Sequence, residues 1–562
     1  MKLLRLKIDT DNGFRSLGKG FEVQFHQFED VKENDSFRPI CLVGLNGCGK
    51  SNVLEALSLI FYHIELCVGI HLPYSIKSGT AFRPRHCVID AFTLEYMMEE
   101  PTFAAKNTSN RWVRITISKE KDKEPIMFKT EQEKDKRVKI DLKNLSEGKV
   151  AIAKSYLPKY IVGYSSGENE TLSIPFIKSR FIHLFEFKEA TMNNVADYIY
   201  PENSLIYVDA NMSQAILLSC LLFENEETLK SLADIENTGI LGITSFRMRL
   251  REDSFKSDKS SEEYSYFRIL KTTLFEKLEA CATMSWYDKE VNAYYFDFWV
   301  NEATKQAFRY HFHSGMGCFL MLRLLYELNL SAVGSNKENE IFSSEGVYTD
   351  GKYSKPGADN DIFHFLDFYL RKQVGRDGEC KNLLLRQFSD GEHQFIHTMA
   401  ICLLLKDSDS LILLDEPETH FNPSWRSRFV SILNETLRNA SQDKNANFKK
   451  EVLITSHSPF IISDCLPENV IILDKDKNGI SHVSSAKERG FNTYGASTNI
   501  IMAEIFDSTD SIGGRAYQEM HDMAENVHVD KKSLIKQVNN GFGDSLEKMM
   551  MMGKINEREQ LC

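Results

Sequence analysis

Uninterrupted apolar runs mark three predicted strands in this chain. They are residues 40–43 (ICLV), 411–414 (LILL) and 452–454 (VLI). Because every position in such a run is apolar, each strand is expected to be buried on both faces, as in the parallel sheets of α/β proteins. Each run ends abruptly in a glycine-rich or polar segment. The pattern therefore predicts an α/β fold with polar loops at the strand ends.

Apolar residues at helical spacing follow two of the polar segments. The first predicted helix carries Val53, Leu54, Leu57, Ile60 and Phe61, and the second carries Phe395, Ile396, Met399, Leu403 and Leu404. The second helix begins with a capping box, because Ser389 can cap it and Glu392 follows three residues later. Gly391 lies between these two residues, although a glycine there costs roughly 0.5–1 kcal/mol relative to alanine. We therefore expect another group to approach the backbone at Gly391.

The middle of the chain has no sustained heptad pattern. Between residues 180 and 380, apolar a and d positions never persist beyond two heptads, so we expect no long coiled coil. Helical stretches such as SQAILLSCLLF and an aromatic strand at 293–300 (AYYFDFWV) alternate with polar loops at 250–263 and 333–360. This predicts a compact, mostly helical insertion. The aromatic strand is either an ordinary core or interface strand, which its β-propensity favours, or a surface that stacks nucleic-acid bases.

Composition limits the class of protein. A chain of 562 residues exceeds the roughly 250–300 residues of one core, so two or three domains are expected. The net charge of −12 excludes a uniformly basic nucleic-acid-binding surface but leaves room for a local basic patch. The eleven cysteines are scattered without a CxxC pair, which is typical of a reducing compartment. With no signal peptide or membrane span recognised, a cytoplasmic location is expected.

A phosphate-binding loop follows the first predicted strand. Residues 44–51 match G-x-x-x-x-G-K-[ST], and we extend the nucleotide-binding segment by one residue. The segment is Gly44, Leu45, Asn46, Gly47, Cys48, Gly49, Lys50, Ser51 and Asn52. Its glycines let backbone N–H groups point at phosphate oxygens, Lys50 reaches the β- and γ-phosphates, and the Ser51 hydroxyl ligates Mg²⁺. ATP and Mg²⁺ are therefore the predicted cofactors.

Polar side chains end the other two predicted strands. Asp415 lies where Mg²⁺ needs a second protein ligand, and Glu416 is predicted to orient and deprotonate the attacking water. Solvated acids at strand ends are common, but that interpretation does not explain two acids directly after four aliphatic residues, with Pro417 next. His457 follows the third strand, where a histidine that contacts the γ-phosphate is a better interpretation than a structural one.

The order of these motifs resembles the ABC-type ATPase heads of SMC, RecF and Rad-type repair proteins and their antiphage relatives. The resemblance implies a head split into N- and C-terminal lobes. It also implies that Ser389, Gly391 and Glu392 form a signature loop that contacts ATP held by a second copy, with Gly391 bare so that a phosphate can approach. Residues 418–423 (ETHFNP) would be the D-loop and 13–18 (NGFRSL) the stretch before the P-loop.

The glutamine loop of these heads has no obvious counterpart. Residues 157–170 occupy the expected region, where Tyr164, Ser165 or Ser166 takes that role or the segment is a plain turn.

A finer resemblance lies in residues 492–520. This segment resembles the PtuA ATPases of Septu and retron-associated Septu systems, although Phe506 stands alone where the family often has two aromatic residues. The resemblance implies an antiphage ATPase that acts slowly as a sensor or regulator of a PtuB-like HNH nuclease. It leaves open whether a retron reverse transcriptase with its RNA–DNA product joins the complex, and whether the insertion contacts nucleic acid.

These predictions give four domains. They are an N-terminal lobe at 1–178, the insertion at 179–378, a C-terminal lobe at 379–490 and a helical extension at 491–562.

Three alternative functions remain from the sequence. The first is a RecF-like repair or recombination ATPase. The second is an OLD-like nuclease using Asp474 and Asp476, although residues 476–479 also form a strong hairpin-turn sequence. An ABC transporter subunit fits least, because such subunits are usually shorter and lack this insertion. The histidines and cysteine of 309–318 (RYHFHSGMGC) lack paired zinc-site spacing and are interpreted as structural.

Overall fold

A computed structural model of the chain gives its fold. It describes residues 1–28, 37–79, 81–101, 112–131, 136–145, 151–167, 170–192, 203–209, 212–252, 270–332, 340–342, 361–375, 378–440, 449–508, 512–525 and 530–557. The chain divides into two compact units, Met1–Tyr494 and Gly495–Cys562. The chain has an α/β fold, as predicted, and no long coiled coil occurs in these ranges.

A seven-stranded central sheet carries the predicted strands. In spatial order its strands are Ser481–Ser485, Val470–Lys475, Ile40–Val43, Lys450–Thr455, Ser410–Asp415, Tyr160–Ser165 and Leu205–Tyr207. Neighbouring strands are parallel, except that Ser481–Ser485 is antiparallel to Val470–Lys475. The central strands are buried at every position, which explains their continuous aliphatic runs. The carboxyl ends of these parallel strands lie at one edge of the sheet.

A second sheet, of six antiparallel strands, is built by the N-terminal part of the chain. In spatial order its strands are Phe21–Gln24, Lys2–Ile8, Phe92–Glu99, Trp112–Lys119, Ile126–Glu131 and Arg137–Ile140. Its alternation of buried and exposed positions is typical of a sheet with one face against a core.

Helices accompany these sheets in the first unit. The α-helices are Lys50–Val68, Tyr74–Lys77, Glu170–Met192, Ser213–Phe223, Lys230–Ala233, Glu276–Cys281, Glu302–Phe312, Gly315–Glu327, Asp390–Leu404, Pro423–Ala440 and Pro459–Ser463. Shorter 3₁₀ and π turns are Ile152–Tyr156, Lys271–Phe275, Leu328–Ala332, Leu385–Gln387 and Pro467–Asn469.

Helix Lys50–Val68 is long and apolar enough to span a membrane by length and composition alone, with a mean hydropathy of 1.3. However, 72% of that stretch is buried inside the fold, as in the core helix of a globular protein.

The insertion contains more strand structure than its sequence indicated. Its five-stranded antiparallel sheet, called here the insertion sheet, has the order Met284–Asp288, Ala293–Trp299, Ile240–Arg251, Phe363–Val374 and Glu379–Leu384. The predicted aromatic strand at 293–300 is one of these five. Phe246 and Phe298 stack at 4.4 Å between ring centroids in the core under this sheet, against Phe308 of helix Glu302–Phe312.

One predicted domain boundary falls inside a helix, and another separates two strands that pair with each other. Residue 178 lies inside helix Glu170–Met192. Strand Glu379–Leu384, assigned to the C-terminal lobe from the sequence, pairs with Phe363–Val374 and so belongs to the insertion sheet.

Four helices occur in the described residues of the second unit. They are Thr498–Phe506, Gly514–Glu525, Lys531–Gly541 and Leu546–Glu557. Met520, Leu534, Val538, Met551 and Ile555 form a small core between the last three.

Candidate functional site

The P-loop is held open by three glycines with positive φ. Gly44, Gly47 and Gly49 have φ of 140°, 74° and 105°, a region that residues with a Cβ rarely adopt. A Cβ on Gly44 would also lie 2.1 Å from the Leu473 carbonyl oxygen. The loop leads directly into helix Lys50–Val68, so its N–H groups and the positive end of the helix dipole face the same space.

Lys50 is buried at the centre of this loop. Its Nζ donates hydrogen bonds to the carbonyl oxygens of Gly44 and Leu45, both at 3.1 Å. Burial lowers the pKa of Lys50, while the neighbouring Cys48, Glu416 and Asp415 act in the opposite direction. The ammonium is therefore held among carbonyl groups and carboxylates where an anionic phosphate would stabilise its charge.

Ser51 and Asp415 meet although 364 positions separate them in the chain. The Ser51 hydroxyl donates to Asp415 Oδ1 at 2.8 Å, and the Thr455 hydroxyl donates to the same oxygen at 2.7 Å. A serine hydroxyl and a carboxylate beside a phosphate loop form an oxygen donor set that fits Mg²⁺. Thr455 was not predicted as a site residue; it is the last residue of strand Lys450–Thr455, two positions before His457.

Glu416 and His457 lie side by side at the same sheet edge. His457 Nε2 is 3.4 Å from Glu416 Oε1. The Glu416 backbone has a strained φ of 48°, and its N–H donates to the Thr455 hydroxyl at 3.0 Å. Burial and then the Asp415 charge raise the pKa of Glu416. Burial and then the Lys50 charge lower the pKa of His457, so its ring is neutral at neutral pH.

The predicted capping box is present at the start of helix Asp390–Leu404. Ser389 accepts a hydrogen bond from the Glu392 N–H at 3.4 Å, and Glu392 Oε2 accepts one from the Ser389 N–H at 2.9 Å. Glu392 also forms an ion pair with Lys372 of the insertion sheet. The signature residues are thus anchored to the helix and to the insertion sheet.

Gly391 has a reason to be glycine within its own chain. A Cβ there would lie 2.7 Å from the carbonyl oxygen of His420 and 3.7 Å from the Trp425 ring. A backbone carbonyl of residues 418–423, the predicted D-loop, therefore approaches Gly391 within the chain. The approach of a phosphate to the same glycine stays a prediction. Within the described ranges, no hydrogen bond or ion pair joins Ser389, Gly391 or Glu392 to residues 44–52.

A buried carboxyl that the sequence analysis overlooked connects the D-loop to the His457 turn. Glu418 accepts a hydrogen bond from the Ser456 hydroxyl, and Ser456 Oγ in turn accepts the Ser458 N–H at 2.9 Å. Burial raises the pKa of Glu418 to about 7. Its Oε2 is buried without a hydrogen-bond partner among the described residues. Glu418 is the first residue of the predicted D-loop, but no local pattern in the sequence indicates that its carboxyl is buried.

The segment 13–18 packs against the P-loop. Asn52 Nδ2 donates to the Ser16 hydroxyl at 2.8 Å, and Arg15 pairs with Glu55 of the following helix at 2.9 Å. Ser481 joins both parts, because its N–H donates to the Ser16 carbonyl at 3.0 Å and its hydroxyl to the Cys48 carbonyl at 2.6 Å.

The three residues considered for the glutamine-loop role, Tyr164, Ser165 and Ser166, lie in different environments. The Ser166 N–H donates to the Asp415 carbonyl at 3.2 Å, and its hydroxyl lies 3.0 Å from that of Thr419. Ser165 pairs with Asp415 across the parallel strands. Tyr164 is buried, and burial raises its pKa. The two serines thus lie beside the acidic residues, whereas Tyr164 is part of the core.

The carboxylates considered for a nuclease have structural partners. Asp474 pairs with Arg489. Asp476 accepts hydrogen bonds from the N–H groups of Asn478 at 2.8 Å and Ile480 at 2.9 Å. These bonds close the hairpin between strands Val470–Lys475 and Ser481–Ser485. The described part of the chain contains no group of three or more His, Cys, Asp or Glu residues arranged to hold a metal.

Comparisons with known proteins agree with an AAA-type domain in the second half of the first unit. Residues 360–463 match the family described as "AAA domain, putative AbiEii toxin, Type IV TA system". These residues include the predicted signature, Asp415, Glu416, the predicted D-loop and His457.

Two individual proteins are similar to parts of this chain. Over 78 residues it is 31% identical to Endonuclease GajA from Bacillus cereus (strain HuB5-5), an alignment that spans 13% of this chain and only 11% of that protein. The SMC head domain from Thermotoga maritima aligns over 86% of this chain and 99% of its own, at 11% identity and a TM-score of 0.31. At that TM-score the structural likeness supports no argument about function.

Proposed function

We propose that this chain is an ABC-type ATPase head that binds and hydrolyses ATP between two copies of itself. The observation that carries the proposal is the contact of Ser51 with Asp415 beside the P-loop, with Glu416 and His457 next to them. Three segments distant in sequence converge there, with the groups needed to hold a triphosphate, ligate a metal and deprotonate water. The match of residues 360–463 to an AAA domain supports the same reaction class.

Each residue of the site has a role that follows from its environment. Lys50 and the loop N–H groups bind the β- and γ-phosphates, and Ser51 with Asp415 would hold Mg²⁺, which neutralises charge on the phosphates. Glu416 accepts a proton from the attacking water, a role that suits a half-buried carboxylate with a raised pKa. His457, neutral and adjacent, donates a hydrogen bond to a γ-phosphate oxygen.

The signature residues supply the other half of the site in this proposal. Ser389 is exposed at the N-terminus of a 15-residue helix, where hydroxyl, N–H groups and helix dipole favour an anion. Because these residues make no polar contact with the P-loop of their own copy, a second copy would bring its signature to the nucleotide. Gly391 would serve this arrangement indirectly, by letting the D-loop pack under the signature.

Mixing two inactive variants tests this arrangement. Lys50→Ala removes the P-loop cation, and Ser389→Arg blocks the signature. Each variant alone should lose turnover. Together they should recover part of it, since a mixed pair has one site with an intact P-loop and an intact signature. A variant carrying both changes, mixed with Lys50→Ala, has no intact pairing and is the control. If the mixture stays as inactive as this control, the two-copy site is wrong.

We further propose that the ATPase regulates an antiphage nuclease. The support is the resemblance of residues 492–520 to PtuA ATPases, together with the toxin-related description of the matched AAA family. The partner would be a PtuB-like HNH nuclease held by the insertion or the C-terminal unit, and ATP turnover would be slow. Phage plating on cells that carry the gene with its neighbours, compared with the Lys50→Ala variant, tests the role. Equal protection by both would contradict it.

An endonuclease is a second candidate, favoured by the name of the relative GajA. It predicts DNA cleavage by the purified chain alone, lost in Asp474→Ala. The pairing of Asp474 with Arg489 argues against this candidate. The RecF-like alternative predicts ATP turnover stimulated by DNA without any partner.

A further inference from the structure

The insertion sheet has two chemically different faces. Along strand Ile240–Arg251, Phe246, Met248 and Leu250 are buried while the residues between them are not. The buried face packs on helices Glu302–Phe312 and Gly315–Glu327, as in the contacts of Phe246 with Phe308 and of Phe363 with Tyr326. Because side chains alternate along a strand, the remaining residues form the opposite, outer face.

Arginines are concentrated on this outer face. Arg247, Arg249 and Arg251 occupy alternate positions of the central strand, and Arg371 lies on the next strand, opposite Gly242. Two aspartates, Asp297 and Asp367, lie close enough to act on Arg247. By the same alternation Asp288 of the edge strand lies on this face, so its described residues include four arginines and three aspartates. The face carries a small net positive charge, although the whole chain carries −12. Such a patch favours a polyanion.

Aromatic rings lie among these arginines. Trp286 and Tyr295 stack at 5.0 Å with an angle of 10° between their planes, and the Arg247 guanidinium lies over Trp286 at 5.1 Å. Arg247 also pairs with Asp297, its Nη2 lying 2.8 Å from Oδ2, which fixes its orientation. Trp299, on the same face of the same strand as Tyr295, is 64% exposed. An indole exposed to this extent beside a basic patch is available to a flat ligand.

We propose that the outer face of the insertion sheet binds single-stranded nucleic acid. The arginines contact the phosphate backbone, and Trp299 and the Trp286–Tyr295 pair offer rings on which unpaired bases stack. The bases of double-stranded nucleic acid stay stacked on each other, so a duplex would bind through the arginines alone and with lower affinity. An acidic peptide would match the charge but has no bases to stack on the rings. This inference does not depend on the ATPase proposal.

Fluorescence anisotropy with the full chain tests the proposal. The probes are labelled oligothymidylate and oligouridylate of about 20 nucleotides, longer than the roughly 4–16 that one single-strand-binding fold covers. Trp299→Ala should weaken binding at least about fivefold, the lower end of what one base stack contributes. Arg371→Ala should reduce the slope of log affinity against log salt by roughly 0.7, as expected for one phosphate contact on a single strand.

A matched control lies on the helix that covers the other face of the sheet. Tyr310 is 76% exposed and Arg309 is its exposed neighbour. Tyr310→Ala and Arg309→Ala should leave the affinity and its salt dependence unchanged. Equal losses in both pairs of variants, equal affinity for duplex of the same length, or no binding of either single strand would each overturn the proposal. Whether DNA or RNA binds more tightly identifies the natural strand, and tight binding of either supports the proposal.

Tryptophan fluorescence gives a second readout that avoids truncating the sheet. The chain has four tryptophans, so each contributes substantially to the signal. Oligothymidylate should quench the wild-type emission, and Trp299→Phe, which keeps a ring for stacking, should remove much of the quenching while retaining most of the affinity. Trp425→Phe, outside the insertion sheet, should leave the quenching intact. Quenching that persists in Trp299→Phe and disappears in Trp425→Phe would contradict the assignment.

Discussion

Around the P-loop, the polar side chains contact one another, whereas the predicted signature residues contact, among the described residues, their own helix, the insertion sheet and the predicted D-loop. Ser51 reaches Asp415, and Glu416 reaches His457. Ser389 and Glu392, by contrast, satisfy each other and Lys372. One half of the proposed site is thus assembled within a single copy. The other half is the start of helix Asp390–Leu404, where Ser389 and Glu392 make no hydrogen bond or ion pair with the P-loop among the described residues. ATP binding and ATP turnover should therefore depend on different halves of the proposed site.

Glu416→Gln should have the largest effect. It removes the proposed general base from the assembled half but keeps the side-chain shape. Turnover should fall roughly 10²–10⁴-fold, the range attributed to general-base catalysis. ATP binding should persist, since Lys50 and Ser51 are untouched, and associated copies should accumulate as a larger species in light scattering. Unchanged size together with unchanged turnover would remove Glu416 from its role.

Glu418→Gln should change how stability depends on pH. The pKa of Glu418 is raised by burial from 4.5 to about 7 in the folded chain. Between those two values the unfolded chain has lost a proton that the folded chain retains. The free energy of unfolding therefore falls as pH rises through this window, by up to about 3 kcal/mol, and stays lowered above it. Two charged side chains affect the pKa of Glu418: Glu416 raises it and Arg426 lowers it. The Glu418 charge in turn raises the pKa of Cys41.

Denaturant unfolding on the acid and alkaline sides of this window measures the effect. Glu418→Gln should be relatively more stable than wild type on the alkaline side. Glu451 is the matched control, because it is also buried, yet Lys2 and His26 overcome its burial and lower its pKa. Because a lowered pKa places the titration of Glu451 below 4.5, Glu451→Gln should differ from wild type by a constant free energy of unfolding across this window. A pH profile for Glu418→Gln that parallels wild type would show that Glu418 is ionised in the folded chain.

Gly391→Ala should destabilise the fold without any nucleotide present. The added Cβ would lie 2.7 Å from the His420 carbonyl oxygen, so the D-loop must shift. Such overpacking costs about 1–3 kcal/mol. Gly514→Ala is the control, since Gly514 also begins a helix but has nothing within 4 Å of a Cβ. If Gly391→Ala unfolds like wild type and loses only turnover, the predicted approach of a phosphate, and not the His420 carbonyl, explains this glycine.

This glycine also shows where sequence reasoning succeeds and where it ends. The strands at 40–43, 411–414 and 452–454 were predictable, because burial on both faces leaves an uninterrupted aliphatic run. The capping box was predictable because its two residues are three positions apart. The partner of Gly391 was not, because His420 is distant in sequence and contributes only a backbone oxygen, which leaves no residue-type signal.

The same limit explains the insertion and the site residues that were overlooked. Only one of the five strands of the insertion sheet was predicted. Strand Ile240–Arg251 alternates apolar and arginine residues, which is a strand pattern, but it lies between predicted helices and was not identified as a strand. Thr455 and Glu418 act through partners that only the parallel register of the central sheet brings near. Local motifs therefore identified the loop and its acids, and tertiary contacts were needed for the groups that support them.

Two substitutions of Ser389 separate its roles as helix cap and as signature residue, and they should have the smallest effect on stability. Ser389→Ala removes the hydroxyl that accepts the Glu392 N–H, which should cost about 1 kcal/mol in unfolding experiments. Ser389→Asn keeps a good cap and should restore that stability. Neither variant retains the serine hydroxyl, so both should bind ATP through the intact P-loop yet fail to associate and turn over. Recovery of turnover in Ser389→Asn along with stability would mean that the serine acts only as a cap, and that the second half of the site lies elsewhere.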